Sequence, residues 1–115
     1  MKVVSVDQFE FEDAATEEAL DIAIAKKSAF PHPSVQAFVE AAVGIEAAKR
    51  LQPAVAFSDQ FAYGKVREYL QRFAKWSLPD PCSWPTHILA EGPDEWHLVL
   101  CGPDIFVSYR WSTSA

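Results

Sequence analysis

The chain has 115 residues, half of them hydrophobic and 13% aromatic, a composition that excludes a disordered chain. A chain of this length buries a core as one domain, 1–115, without metal or disulfide staples. The formal net charge of −6 sits almost wholly in residues 1–25, where seven acids face Lys2 alone, while the remaining ninety residues carry nine charges of each sign. Nucleic acid and anionic membrane are therefore disfavoured as partners. The opening MKVVSVDQF lacks the apolar run of a signal peptide, and no stretch approaches the ~20 apolar residues of a membrane span, so a cytoplasmic location is expected. Cys82 and Cys101 are too few for a disulfide framework and are expected to be reduced thiols.

Lys2–Val6 is short and β-branched, and Phe9-Glu10-Phe11-Glu12 alternates, which predicts a strand within 2–12 joining a sheet edge. Asp13 is placed to cap a helix running to Ala29, with Glu17 and Glu18 in its early turns, where the helix dipole favours negative charge. At 100° per residue, Ala15, Ala19, Ile22 and Ala23 cluster on one side and Glu17, Glu18 and Asp21 on the other.

Phe30-Pro31-His32-Pro33 breaks that helix, and Ser34 caps a second predicted helix, Val35–Leu51. The apolar arc of Val35, Phe38, Val39, Ala42, Val43 and Ile45 is broad enough to be buried against more than one neighbour. Ala37, Ala41, Gly44 and Ala48 form a stripe of small residues. It either receives the preceding Ala-rich helix in an αα-hairpin or faces solvent.

Gln52-Pro53 ends this helix, and Ser58 or Asp59 starts a third, running to Trp76. Its apolar residues Ala62, Val66, Tyr69, Leu70, Phe73 and Trp76 fall within about 120°. Lys65, Glu68, Arg72 and Lys75 line its polar side, a solvated face rather than a nucleic-acid surface. The prolines of Leu78–Pro85 predict an extended connector.

Residues Thr86–Trp111 hold three alternating runs separated by Gly92-Pro93-Asp94 and Gly102-Pro103-Asp104, which predicts a three-stranded antiparallel meander. Even hairpin loops put Trp96, Leu98 and Leu100 on one face with Ile105, Val107, Tyr109 and Trp111, joined by His87 and Leu89. The other face then carries Glu95, His97, Val99 and Cys101 against Phe106, Ser108 and Arg110, and a one-residue bulge would reverse the pairing. The third helix is expected on the first face. The fold class is therefore α+β, with three helices packed on one face of a small antiparallel sheet that combines the C-terminal meander with an N-terminal edge strand.

Chemistry is sparse. Cys82, His87, His97 and Cys101 match no compact zinc pattern, and His97 and Cys101 on one strand lie about 13 Å apart, too far to share an ion. There is no G-x-S-x-G elbow, no H-E-x-x-H, no P-loop and no deaminase signature. No catalytic, cofactor-binding or metal residue is assigned.

Two candidate partner surfaces remain. One is the acidic ridge Glu10, Glu12, Asp13, Glu17, Glu18 and Asp21, suited to a basic protein. The other is Trp84 in the Pro-rich connector with Trp111 near the C-terminus, and the apolar residues Val99 and Phe106 on the second meander face are a secondary candidate. The function expected is a non-catalytic protein-binding module that neutralises or escorts a basic partner, by class analogy with bacterial toxin-immunity proteins and secretion chaperones. The alternatives are a small-ligand or enzymatic domain with a pocket between helix 59–77 and the meander, and a homo-oligomeric assembly protein using an open sheet edge or the Val99/Phe106 face.

Overall fold

The computed structural model describes residues 1–9, 18–55, 60–78 and 84–113. Five strands form one antiparallel sheet in the order β1-β2-β5-β4-β3: β1 Lys2–Phe9, β2 Glu18–Lys26, β3 Thr86–Glu91, β4 Glu95–Cys101 and β5 Ile105–Thr113. Three α-helices, α1 Val35–Ala42, α2 Ile45–Lys49 and α3 Gln60–Ala74, lie between the N-terminal hairpin and the C-terminal meander. The α+β class, the meander and the N-terminal edge strand are those expected from the sequence.

The predicted helix from Asp13 to Ala29 is instead strand β2 over its described part, followed by a short 3-10 turn, Lys27–Ala29. Asp13 lies outside the described residues. Glu18–Lys26 alternates with period 2: Leu20, Ile22 and Ile24 point to one face, and Ala19, Asp21, Ala23 and Ala25 to the other. Because both faces are covered along most of its length, the strand looks like a continuous apolar run, and its alanines mimic a helix. The unbroken ladder to β5, from Glu18↔Thr113 to Lys26↔Ile105, overrides that helical propensity.

The second predicted helix also divides. Ser34 caps α1 as expected, its Oγ accepting from the Ala37 amide at 3.0 Å. At Gly44 the backbone takes φ +141°, a value open to glycine, and the chain restarts as α2. With strand β2 where the described part of the preceding helix was expected and a break within it, the small-residue stripe forms no αα-hairpin among the described residues. Ala48 is buried against the sheet while Ala41 is exposed.

Helix α3 lies on the meander as anticipated. Val66, Tyr69, Leu70 and Ala74 close over Leu20, Ile22 and Ile24 of β2, Leu98 and Leu100 of β4, and Val107 and Tyr109 of β5. Lys75, in the left-handed region at φ 55°, ends the helix, and the Trp76 amide donates to the Leu70 carbonyl at 3.2 Å.

The helices, expected on one face, occupy both. Phe38 and Val39 of α1 and Ala47 and Ala48 of α2 cover Ala23, Ala25, Val99 and Phe106 on the face opposite α3. Phe38 stacks on Phe106 with ring centroids 5.2 Å apart, and Phe30 meets both rings edge-on. Two apolar faces on one sheet need two covers, and only part of the predicted arc supplies the other: Phe38 and Val39 are buried, while Val43 and Ile45 are exposed.

Within the meander, β4 and β5 pair as the even loop requires, Leu98 opposite Tyr109 and Leu100 opposite Val107. A bulge between Ile88 and Ala90 shifts β3 by one residue. Thr86 and Ile88 therefore share the α3 face, while His87 and Leu89, expected there, turn to the α1–α2 face. The start of β3 is covered on its outer side by Val55, which exchanges two backbone hydrogen bonds with Thr86 at 2.8 and 3.1 Å.

Candidate functional site

Strand β2 separates the two described acids of the expected ridge. Glu18 and Asp21 stand three residues apart on a strand, so they point to opposite faces of the sheet. Glu10, Glu12, Asp13 and Glu17 lie outside the described residues. Glu18 and Asp21 thus belong to two polar clusters with the sheet between them.

On the α3 face, Glu18 Oε2 accepts from Trp111 Nε1 at 3.1 Å. Tyr69 and Tyr109 complete this end of the α3 layer, both nearly fully buried. Burial raises the Tyr109 phenol pKa, and the neighbouring Tyr69, Glu18 and Glu68 raise it further. Burial likewise raises Tyr69, partly opposed by Lys65, whose ammonium sits 5.7 Å from the centre of the Tyr69 ring. Both phenols stay neutral at ordinary pH.

On the other face, register places Ser5, Asp21, Arg110 and His97 in one row across β1, β2, β5 and β4. Ser5 Oγ donates to Asp21 Oδ1 at 2.8 Å, and Arg110 Nη2 meets Glu95 Oε2 at 2.7 Å. His97 is 6% exposed, and its Nε2 shares a hydrogen bond with Ser108 Oγ at 3.0 Å. Burial first, and the Arg110 guanidinium second, lower its pKa from the ordinary 6.5 to about 4. A Ser–His pair invites a nucleophilic reading, but Ser108 is 4% exposed and leaves no approach for a substrate. The imidazole is too weak a base near pH 7, and the nearby Glu95 carboxylate is engaged by Arg110 instead of orienting it. The pair satisfies two polar groups at the border of the α1–α2 core.

The other sequence candidates sort by burial. Val99 and Phe106, expected as an apolar partner surface, are 0% and 1% exposed beneath α1–α2, which removes them from any docking role in this fold. Trp84 is half-buried on the α3-side core, its ring 5.9 Å from that of Trp76 and closely over Gly102. It pins the connector to the core. Among the described residues, the buried side chains of the α3-side cluster pack between α3 and the sheet.

His87 shares the His97 face, contrary to the parity expectation, and its Nδ1 donates to the Gln52 carbonyl at 2.7 Å. Among the described residues, no three His, Cys, Asp or Glu side chains are grouped to hold a metal ion, and no helix is long and apolar enough to cross a membrane. The polar row through Asp21, Arg110 and His97 was missed at the sequence level. Its signal was the alternation of β2, which a helical reading of 13–29 conceals. Comparison of the chain with protein-family models, with curated proteins and with solved structures finds no match.

Proposed function

We propose that the chain is a non-catalytic protein-binding module that engages a basic surface of a partner protein, neutralising or escorting it. The carrying observation is the placement of charge. Phe9 and Glu18 are register partners at the end of the β1–β2 hairpin, and five acids fall within residues 10–18. The sequence therefore sets this negative charge between the paired ends of β1 and β2. Clustered charge of this kind speeds encounter with an opposite surface and selects among partners. The packed α3–meander interface and the inaccessible Ser108–His97 pair favour binding over catalysis.

The test is affinity capture from source-cell lysate with the wild type and with a variant carrying Glu10→Lys, Glu12→Lys, Asp13→Lys and Glu17→Lys. Glu18 and Asp21 are spared because Trp111 and Ser5 hydrogen-bond to them. The wild type should retain a basic protein that elutes with salt, and the variant should lose it while keeping its circular dichroism spectrum. Identical recovery by both proteins would overturn the proposal.

A further inference from the structure

The two edges of the sheet are not equivalent. Strand β3 has the Val55 bridge along its start, and His87 is tied to the Gln52 carbonyl beside it. Strand β1 has no such cover: among the described residues no backbone group bonds to it from its outer side. An edge strand turns about every second amide and carbonyl outward, and another extended backbone satisfies them. The usual protections are weak here. From Lys2 to Asp7 the strand pairs with β2 without a bulge, it holds no proline, and the Lys2 ammonium is drawn to the Ala74 carbonyl on α3. Val3 adds an apolar side chain that is 62% exposed.

The charges along this edge run head to tail. At its amino end stand Lys2 and, one strand in, Lys26; at its carboxyl end stand Asp7 and, one strand in, Glu18. Two such edges set like charge against like when parallel, and positive against negative at both ends when antiparallel. We infer that β1 pairs antiparallel with β1 of a second copy, about a two-fold axis at Ser5, so that the two sheets become one. This contact is independent of the protein-binding reading above, since every residue in it belongs to 2–9 or 18–26.

The alternation of side chains selects the axis. Opposite residues of an antiparallel pair share a face, so the two-fold passes through a residue and not between two. At Ser5 it sets Val4 of each copy across from Val6 of the other and Val3 across from Asp7. Lys2 then lies across from Gln8, with Glu18 one strand further on the same α3-side face. An axis at Val4 would carry Lys2 about 7 Å further from Glu18. An axis at Val6 would run Val4 into the bulge between Asp7 and Phe9.

The experiment is sedimentation equilibrium of the full chain in about 0.15 M salt, where charges more than about 8 Å apart are largely screened and the net −6 of each copy opposes pairing little. So short an edge buries less than the ~1,200 Å² of a stable interface, and the dimer is expected to form at roughly tens of micromolar. Val3→Glu, across from Asp7, should weaken it about tenfold or more, and Val3→Lys should tighten it. Val55→Glu and Val55→Lys, beside the opposite edge, should change nothing. Raising the protein concentration should slow hydrogen exchange at alternate amides of β1. A chain that stays monomeric at millimolar concentration overturns the inference. So does a dimer that the two Val3 variants shift in the same direction or not at all, or that the Val55 variants shift as much. Because the purified chain alone is measured, none of these results bears on capture of a basic protein from lysate.

Discussion

His97 illustrates how a single buried group makes stability depend on pH. Its pKa is about 4 when folded and returns to an ordinary 6.5 when unfolded, so between those values the unfolded chain binds the extra proton. The contribution is complete above pH 6.5 and is lost as pH falls toward 4, amounting to about 3 kcal/mol. Urea midpoints measured from pH 4.5 to 7.5 should fall with acid, and His97→Gln should flatten that slope. Gly102 sets a different constraint. A Cβ there would stand 2.9 Å from the Trp84 ring, which is wedged against Trp76 and the core. Gly102→Ala is therefore expected to lose about 1–3 kcal/mol and to shift tryptophan emission, read by denaturant titration. Neither role was visible in the sequence, since both depend on partners from distant segments. The acids were legible as residue types, but the division of Glu18 and Asp21 between two faces was not.

At the scale of elements, the legible parts were those whose pattern matches one period. Helix α3 has one apolar stripe and one polar side, and the meander alternates between Gly-Pro-Asp turns, so both were placed close to their actual bounds. Strand β2 failed the same test because apolar residues occupy both of its faces, leaving alanine content as a misleading cue. The β3 bulge is a second case, where one extra residue reverses which side chains meet the core.

The break at Gly44 lends itself to measurement. Nothing lies within 4 Å of a Cβ added there, so Gly44→Ala isolates backbone strain at φ +141°. A loss of about 1–3 kcal/mol is expected in a thermal or urea melt, without any steric clash to account for it. Phe38→Ala tests the cover itself. Deleting a fully buried ring stacked on Phe106 should cost about 3–5 kcal/mol and expose dye-binding apolar surface.

Across the whole molecule, charge and topology divide the chain differently. The net negative charge belongs to residues 1–25 of the sequence, whereas most of the α3-side core is built from segments after residue 60. That separation sets the excess acids apart in sequence from most of that core. It also explains why function was less legible than fold. Burial periodicity constrains many residues at once, but a binding surface is specified by a partner whose shape is written in another chain.

The β2–β5 ladder has a kinetic consequence. It joins the second and the last strands of the described chain in the middle of the sheet, with every described helix and two other strands intervening. Closing so long a loop is entropically unfavourable before any of its contacts form, so folding is expected in milliseconds to seconds rather than microseconds. Stopped-flow tryptophan fluorescence measures that rate. During synthesis, Leu20, Ile22 and Ile24 wait without their β5 neighbours until residues 105–113 have left the ribosome. A fragment ending at residue 104 should lack stable sheet by circular dichroism and should recruit holding chaperones, because its central seam is still missing a side.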